Sequence, residues 1–152
     1  MDVVDLLERD RDRLVGTATE TVRAARLAHY EAQGPDVLRR RVEDLYRLLA
    51  SCVRRNDAGP MIEHARRVAS ERFGAGFDLH EVQTAFNAIE EAVWTRILAE
   101  MEPADLARAL GLVSTVLGLG KDALARAYVS LATHAYAPSL DMKALFEGTE
   151  GE

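Results

Sequence analysis

Cysteine is nearly absent from this chain: Cys52 stands alone. A single thiol excludes an intramolecular disulfide, and without clustered partners it excludes a zinc site. On an apolar helical stripe it reads as a small buried hydrophobe. Proline (4) and glycine (10) are too scarce for an all-β chain with frequent turns. Aromatic residues are few, while alanine and leucine dominate, which favours helices. Positive charge is in deficit, 19 Lys and Arg against 25 Asp and Glu, and a net charge of −6 argues against a nucleic-acid partner. Arginines do cluster at Arg39, Arg40 and Arg41, at Arg54 and Arg55, and at Arg66 and Arg67. Acidic residues are interleaved with them, so these are read as solvated helix faces. No apolar run approaches the length of a membrane span, and the N-terminal MDVVDLLERDRDR lacks a signal peptide's basic start and apolar middle. A cytoplasmic protein with no membrane partner is therefore expected.

Catalytic patterns are missing as well. The Gly74-Ala75-Gly76 segment has no following Lys-Ser or Lys-Thr and so is no phosphate loop. There is no HExxH or GxSxG. Glu90 and Glu91 are adjacent, and adjacent helical residues point about 100° apart, so they form no acid–base pair. We expect neither an enzyme, nor a resident metal, nor a cofactor.

What is present is enough apolar material, 48% of 152 residues, for one helical core. The pattern predicts an all-α bundle of about five main helices. The first spans about Asp2 to Ala32 and carries Val3, Leu7, Leu14, Ala18, Val22 and Ala25 near helical spacing. The strongly polar ERDRDR at positions 8–13 interrupts that stripe, so this half is expected to project or to pack on a second subunit. Gly34-Pro35 ends the first helix. The second runs from about Asp36 to Arg55, with Leu38, Val42, Leu45, Leu49 and Cys52 on one face. Pro60 suits the first turn of the third, whose inward residues are Ile62, Ala65, Val68 and Phe73. Gly74 and Gly76 stop it. Asp78 and Glu81 have the spacing of a capping box opening the fourth helix, with Phe77 placed to staple against Val82. Leu79, Val82, Phe86, Ile89, Val93 and Ile97 form its main inward stripe, with Trp94, Leu98 and Met101 widening it.

Pro103 begins the fifth and longest helix, expected to end near Ala135 at the Ala137-Pro138 pair. Leu106, Leu110, Val113, Leu117, Gly120, Leu124, Ala127 and Leu131 keep a four-three heptad, while Leu112, Val116 and Leu119 add a second apolar side. Gly111, Gly118 and Gly120 each cost about 1 kcal/mol in a helix interior against alanine. That cost fits close helix packing or a flexible point, and close packing is preferred here. The domain is thus placed at residues 1–136. Residues 137–152 form a short tail or linker stub, with a short helix possible over Asp141 to Phe146 and disorder over the last six residues.

Four histidines are scattered: His29 and His134 near helix ends, His80 in a first turn, and His64 early in the third helix. A solvated surface histidine is the preferred reading; as the alternative, His64 is the best placed of the four as a haem ligand. Trp94 and Tyr128 fall at inward positions of long helices, where filling the core is the ordinary role of an aromatic. His64, Trp94 and Tyr128 are accordingly the candidate walls of a haem or small-apolar-ligand pocket.

Several segments are also familiar together. They are Ala65-Arg66-Arg67-Val68-Ala69, Glu71-Arg72, Gly76-Phe77-Asp78-Leu79-His80-Glu81-Val82, Ala85-Phe86 and Glu91-Ala92-Val93-Trp94. They resemble the N-terminal sensor domain of RsbR-type stressosome proteins, the RsbT co-antagonist N-terminal domain family, over about two thirds of the chain. The resemblance implies a globin-like bundle, generally without haem, that dimerises and relays a signal along its long last helix to a STAS domain in a bacterial stress-signalling pathway. Two departures stand out. His80 takes a position where an acidic residue is more typical, and no STAS domain follows in this sequence. A non-enzymatic sensor is the expected function, with a ligand-binding globin-like sensor as the alternative. A homodimer is expected, with Leu7, Leu14, Leu110, Leu117 and Leu124 at its interface and a STAS or switch-kinase protein as a further partner.

Overall fold

The computed structural model describes residues 1–150, with side chains through Ala135. It is all-α, and no strand occurs among the described residues. The helices are α1 (Val3–Arg9), α2 (Arg11–Ala24), α3 (Ala28–Gln33), α4 (Pro35–Arg55), α5 (Gly59–Gly74), α6 (Leu79–Glu100) and α7 (Pro103–Glu150).

The expected first helix is three. Asp10 leaves helical geometry at φ −100° and ψ 16°, and Arg26 turns left-handed at φ 52° before α3. The polar patch causes the first break. Asp10 accepts from Arg9 Nη2 at 2.8 Å and from Arg96 Nε at 2.8 Å, and Arg96 also meets Glu100 at 3.1 Å. Arg54 pairs with Glu8. So this half does not project. Val3, Leu6 and Leu7 are buried, and the Tyr46 hydroxyl donates to the Leu7 carbonyl at 2.6 Å.

Elsewhere the local signals hold. Gly34 (φ 90°) separates α3 from α4, and Pro35 and Pro60 sit in the first turns of α4 and α5. Gly76 (φ 88°) makes the left-handed turn after α5. The Asp78 side chain accepts from the Glu81 amide at 3.0 Å while Glu81 Oε1 accepts from the Asp78 amide at 3.2 Å, closing the capping box. Cys52 is fully buried, and burial pushes its thiol pKa up.

The last helix differs from expectation at its end. α7 runs through Pro138 to Glu150, because the alanine-rich stretch before the proline and Met142-Lys143-Ala144-Leu145 after it both favour helix and outweigh its local cost. His134 is therefore not at a helix end; it is exposed, with Nδ1 2.8 Å from the Ser130 carbonyl. Asp141 to Phe146 belong to α7, and Gly151 and Glu152 lie outside the described residues.

α7 packs on α5 along one flank and on α6 along the other, while α2 lies against α6 and α4. α6 and α7 run antiparallel: Trp94 meets Ser114, Glu90 meets Lys121, and the backbone of Phe77 meets Tyr128. Val113, Leu117, Gly120 and Leu124 form the buried seam of α7. Of Gly111, Gly118 and Gly120 only Gly120 reflects close approach. A Cβ there would stand 2.8 Å from Met61 Cγ and 3.1 Å from Phe86 Cε1, whereas at Gly111 and Gly118 it would meet nothing within 4 Å.

Candidate functional site

The structure separates the residues proposed for a pocket. Tyr128 is buried, stacks edge-on against Phe73 at 5.7 Å and donates its hydroxyl to the Phe77 carbonyl at 3.1 Å. Burial pushes its phenol pKa up to about 12. Trp94 is not inward. It is 40% exposed and donates Nε1 to Ser114 Oγ at 3.0 Å. Ser114 and Tyr128 are fourteen residues apart on one helix, about 21 Å at 1.5 Å per residue, so the two aromatics do not converge. The physical reason is the breadth of the apolar side of α6: Val93 and Ile97 fill the core, and Trp94 is left at the edge. His64 is partly buried on α5 with Nδ1 3.4 Å from Arg67 Nη2; burial, then Arg67 and Arg72, lower its pKa below the ordinary value.

Nor are the leucines proposed for a dimer interface at a free surface. Leu7, Leu117 and Leu124 are fully buried and Leu14 is 3% exposed, while Leu110 is partly buried against the same core. The heptad spacing of Leu110, Leu117 and Leu124 is real, but it is the bundle's own seam. A side chain already covered within one chain has no surface left to cover a second.

What remains open is the other side of α7 and the adjoining edge of α6. Gly111, Thr115 and Leu119 are exposed on α7, and Gly118 is partly exposed. Beside them stand Trp94 and Leu98, the latter 56% exposed, one turn apart on α6. Farther along α7, Val129 is 65% exposed. Lys121 closes the α6 flank with bonds to Asn87 Oδ1 at 3.2 Å and Glu90 Oε1 at 3.0 Å, which gives Glu90 a structural partner.

A second concentration of chemistry lies at the turn into α6, around buried Phe77. Glu81 is the one buried acidic residue among those described, at 6% exposure. Its Oε1 lies 2.7 Å from His29 Nδ1, and its Oε2 accepts from the His29 amide at 3.2 Å, in addition to its capping bond. The His29 ring packs on Phe77 at 4.8 Å, and Tyr30 meets Phe77 edge-on at 5.1 Å. Arg41 and Arg72 each lie over the same ring, 5.9 and 5.7 Å from its centroid. Sequence reasoning identified Phe77, Asp78 and Glu81 as a cap. It missed His29, Tyr30, Arg41 and Arg72, because nothing local signals that α3, α4 and α5 meet there.

Among the described residues no group of three or more His, Cys, Asp or Glu is placed to hold a metal ion, and no helix is long and apolar enough to cross a membrane. The fold and these surfaces define a helical module that offers packing faces and an ionic corner. The family profile of the RsbT co-antagonist protein rsbRD N-terminal domain matches residues 11–138. The chain therefore belongs to that family, a stressosome-related class of sensor and regulatory domain not known for catalysis. Comparison with curated proteins gave no match, and comparison with solved structures gave none.

Proposed function

We propose that this chain is a homodimeric, globin-like sensor domain of a bacterial stress-signalling pathway. Two copies pack through the outer side of α7 and the edge of α6, and a change in that packing carries the signal to a STAS or switch-kinase partner. Family membership supports the regulatory role. The observation that carries the choice of face is the pair Trp94 and Leu98, large apolar side chains 40% and 56% exposed beside a strip of α7 that bears only small side chains at Gly111, Ser114 and Gly118. An exposed tryptophan flanked by a second large apolar side chain is a surface that association buries with gain. The small side chains let a facing helix approach closely. The family match ends at residue 138, and α7 continues to Glu150.

The test is light scattering on the whole chain at tens of micromolar. Wild type gives a dimer mass; Leu98→Glu and Trp94→Glu give monomers with unchanged helical circular dichroism. A monomeric wild type, or a dimer untouched by both substitutions, sinks the proposal. A second reading, as a small-apolar-ligand sensor, is favoured by one observation: a cavity of about 180 Å³ between α2, α3 and α4, walled by Val22, Leu27, Tyr30 and Leu38. Its walls include none of His64, Trp94 and Tyr128 and no other histidine, so it offers no proximal ligand to a haem.

A further inference from the structure

We propose that the corner where α4 and α5 meet the turn into α6 binds a small oxyanion, a carboxylate or phosphate group, between the guanidinium groups of Arg41 and Arg72. Both groups lie within 6 Å of the Phe77 ring centroid, at 5.9 and 5.7 Å, so two like charges share one buried aromatic. Cation–π attraction to one ring does not satisfy N–H groups. Two of those donors, both buried, have no hydrogen-bond partner among the described residues: Arg41 Nη1 and Arg72 Nε. The Arg72 side chain is only 12% exposed, and its one carboxylate contact among the described residues is Glu71, 58% exposed, at 3.4 Å. The other carboxylate nearby, Glu81, is committed to His29 and to the α6 cap.

Buried guanidinium donors without acceptors are costly, because water is removed and nothing replaces it. The strain shows electrostatically: burial first, then Arg72, lowers the Arg41 pKa from its ordinary value. Tyr30, 5% exposed, borders the same groups. Burial raises its phenol pKa while Arg72 and Arg41 pull the other way. An oxyanion supplies what the corner lacks, a negative charge and several acceptor lone pairs, and guanidinium forks match the planar edge of a carboxylate or phosphate group. None of the site's residues lies on the proposed dimer face: they are on α3, α4, α5 and the turn before α6, away from Trp94 and Leu98.

Thermal unfolding of the whole chain at equal ionic strength in sodium chloride, sodium phosphate and sodium acetate tests this. A bound oxyanion raises Tm above the chloride value by a few degrees, saturably, and isothermal titration with phosphate and with acetate shows which geometry fits. Arg41→Gln and Arg72→Gln each abolish the increment. Arg66→Gln, at an exposed arginine paired with Glu63, leaves it intact. If Arg72→Gln does not fold, Arg41→Gln decides alone. No increment over chloride from either anion overturns the proposal. So does an increment that persists in Arg41→Gln, which marks general salting-out and not a site.

Discussion

Replacing Gly111, Gly118 and Gly120 of α7 with alanine, one at a time, separates helix propensity from packing on a single helix. Each substitution removes backbone freedom from the unfolded chain and favours helix by about 1 kcal/mol. At Gly111 and Gly118 the added methyl meets nothing within 4 Å, so that gain stands in full. At Gly120 the methyl stands 2.8 Å from Met61 Cγ and 3.1 Å from Phe86 Cε1. Met61 is fully buried and Phe86 is 2% exposed, so neither swings into solvent. Overpacking of a filled core costs about 1–3 kcal/mol, which offsets or exceeds the propensity gain. Gly111→Ala and Gly118→Ala should therefore raise stability by about 0.5–1 kcal/mol, or about 2–4 °C per kcal/mol in a domain of this size. Gly120→Ala should lower it by up to about 2 kcal/mol. The assay is urea unfolding followed by circular dichroism at sub-micromolar protein, where association contributes least. If Gly120→Ala gains as much as the other two, α7 does not seat between Met61 and Phe86, and the packing of α5, α6 and α7 described above is wrong.

Asp10→Asn should lower stability at neutral pH. The hydrogen bonds from Arg9 and then Arg96 hold the Asp10 carboxyl well below the usual carboxylate range, so its contribution is present above about pH 4. The difference between wild type and Asp10→Asn should shrink as pH falls from there; a gap that widens in acid contradicts the network. At the start of α6, Phe86→Ala should cost about 3–5 kcal/mol because the ring is buried, while Asp78→Ala, which removes the cap, should cost about 1–2 kcal/mol. Leu79 is only partly buried, so Leu79→Ala should cost less than Phe86→Ala in the same urea melts, and an order with the cap variant worst refutes this placement of the helix.

The elements legible in the sequence were those written in local chemistry. Pro35, Pro60, Gly74, Gly76, Asp78, Glu81 and Pro103 mark helix boundaries within a residue or two, because capping and φ restrictions act over one turn. One local signal failed, since Pro138 does not end α7; the other failures came from packing that spacing does not reveal. The ERDRDR patch looked like a projecting polar stretch because its partner Arg96 lies 86 positions away from Asp10. The leucine heptad of α7 looked like a dimer seam because a heptad states only that a helix packs on helices, not whether they belong to the same chain. Trp94 looked inward because periodicity gives the direction of a stripe but not its width. The corner around Phe77 joins residues from 29 to 81, and pairs such as His29 with Glu81 are invisible to any reading by spacing.

That corner and the exposed face are not independent pieces of surface, because α7 touches both. Tyr128 bonds the Phe77 carbonyl at one level of the helix, and Ser114 receives Trp94 at another. Between them Leu117, Gly120 and Leu124 are buried in a seam too tight at Gly120 to admit a methyl without displacement. A close-packed helix of this kind shifts as a unit, since interiors at crystal-like density do not deform smoothly. If an oxyanion at Arg41 and Arg72 favours one seating of Phe77, that preference reaches the outer face of α7 through Tyr128. Thermodynamic linkage then requires the reverse: whatever factor the anion applies to the dimer's dissociation constant, dimerisation applies to the anion's. Such couplings run at roughly 1–3 kcal/mol, or 5- to 150-fold, which titration at two protein concentrations resolves. Equal anion affinity in monomer and dimer would leave the corner a binding site without a signalling role.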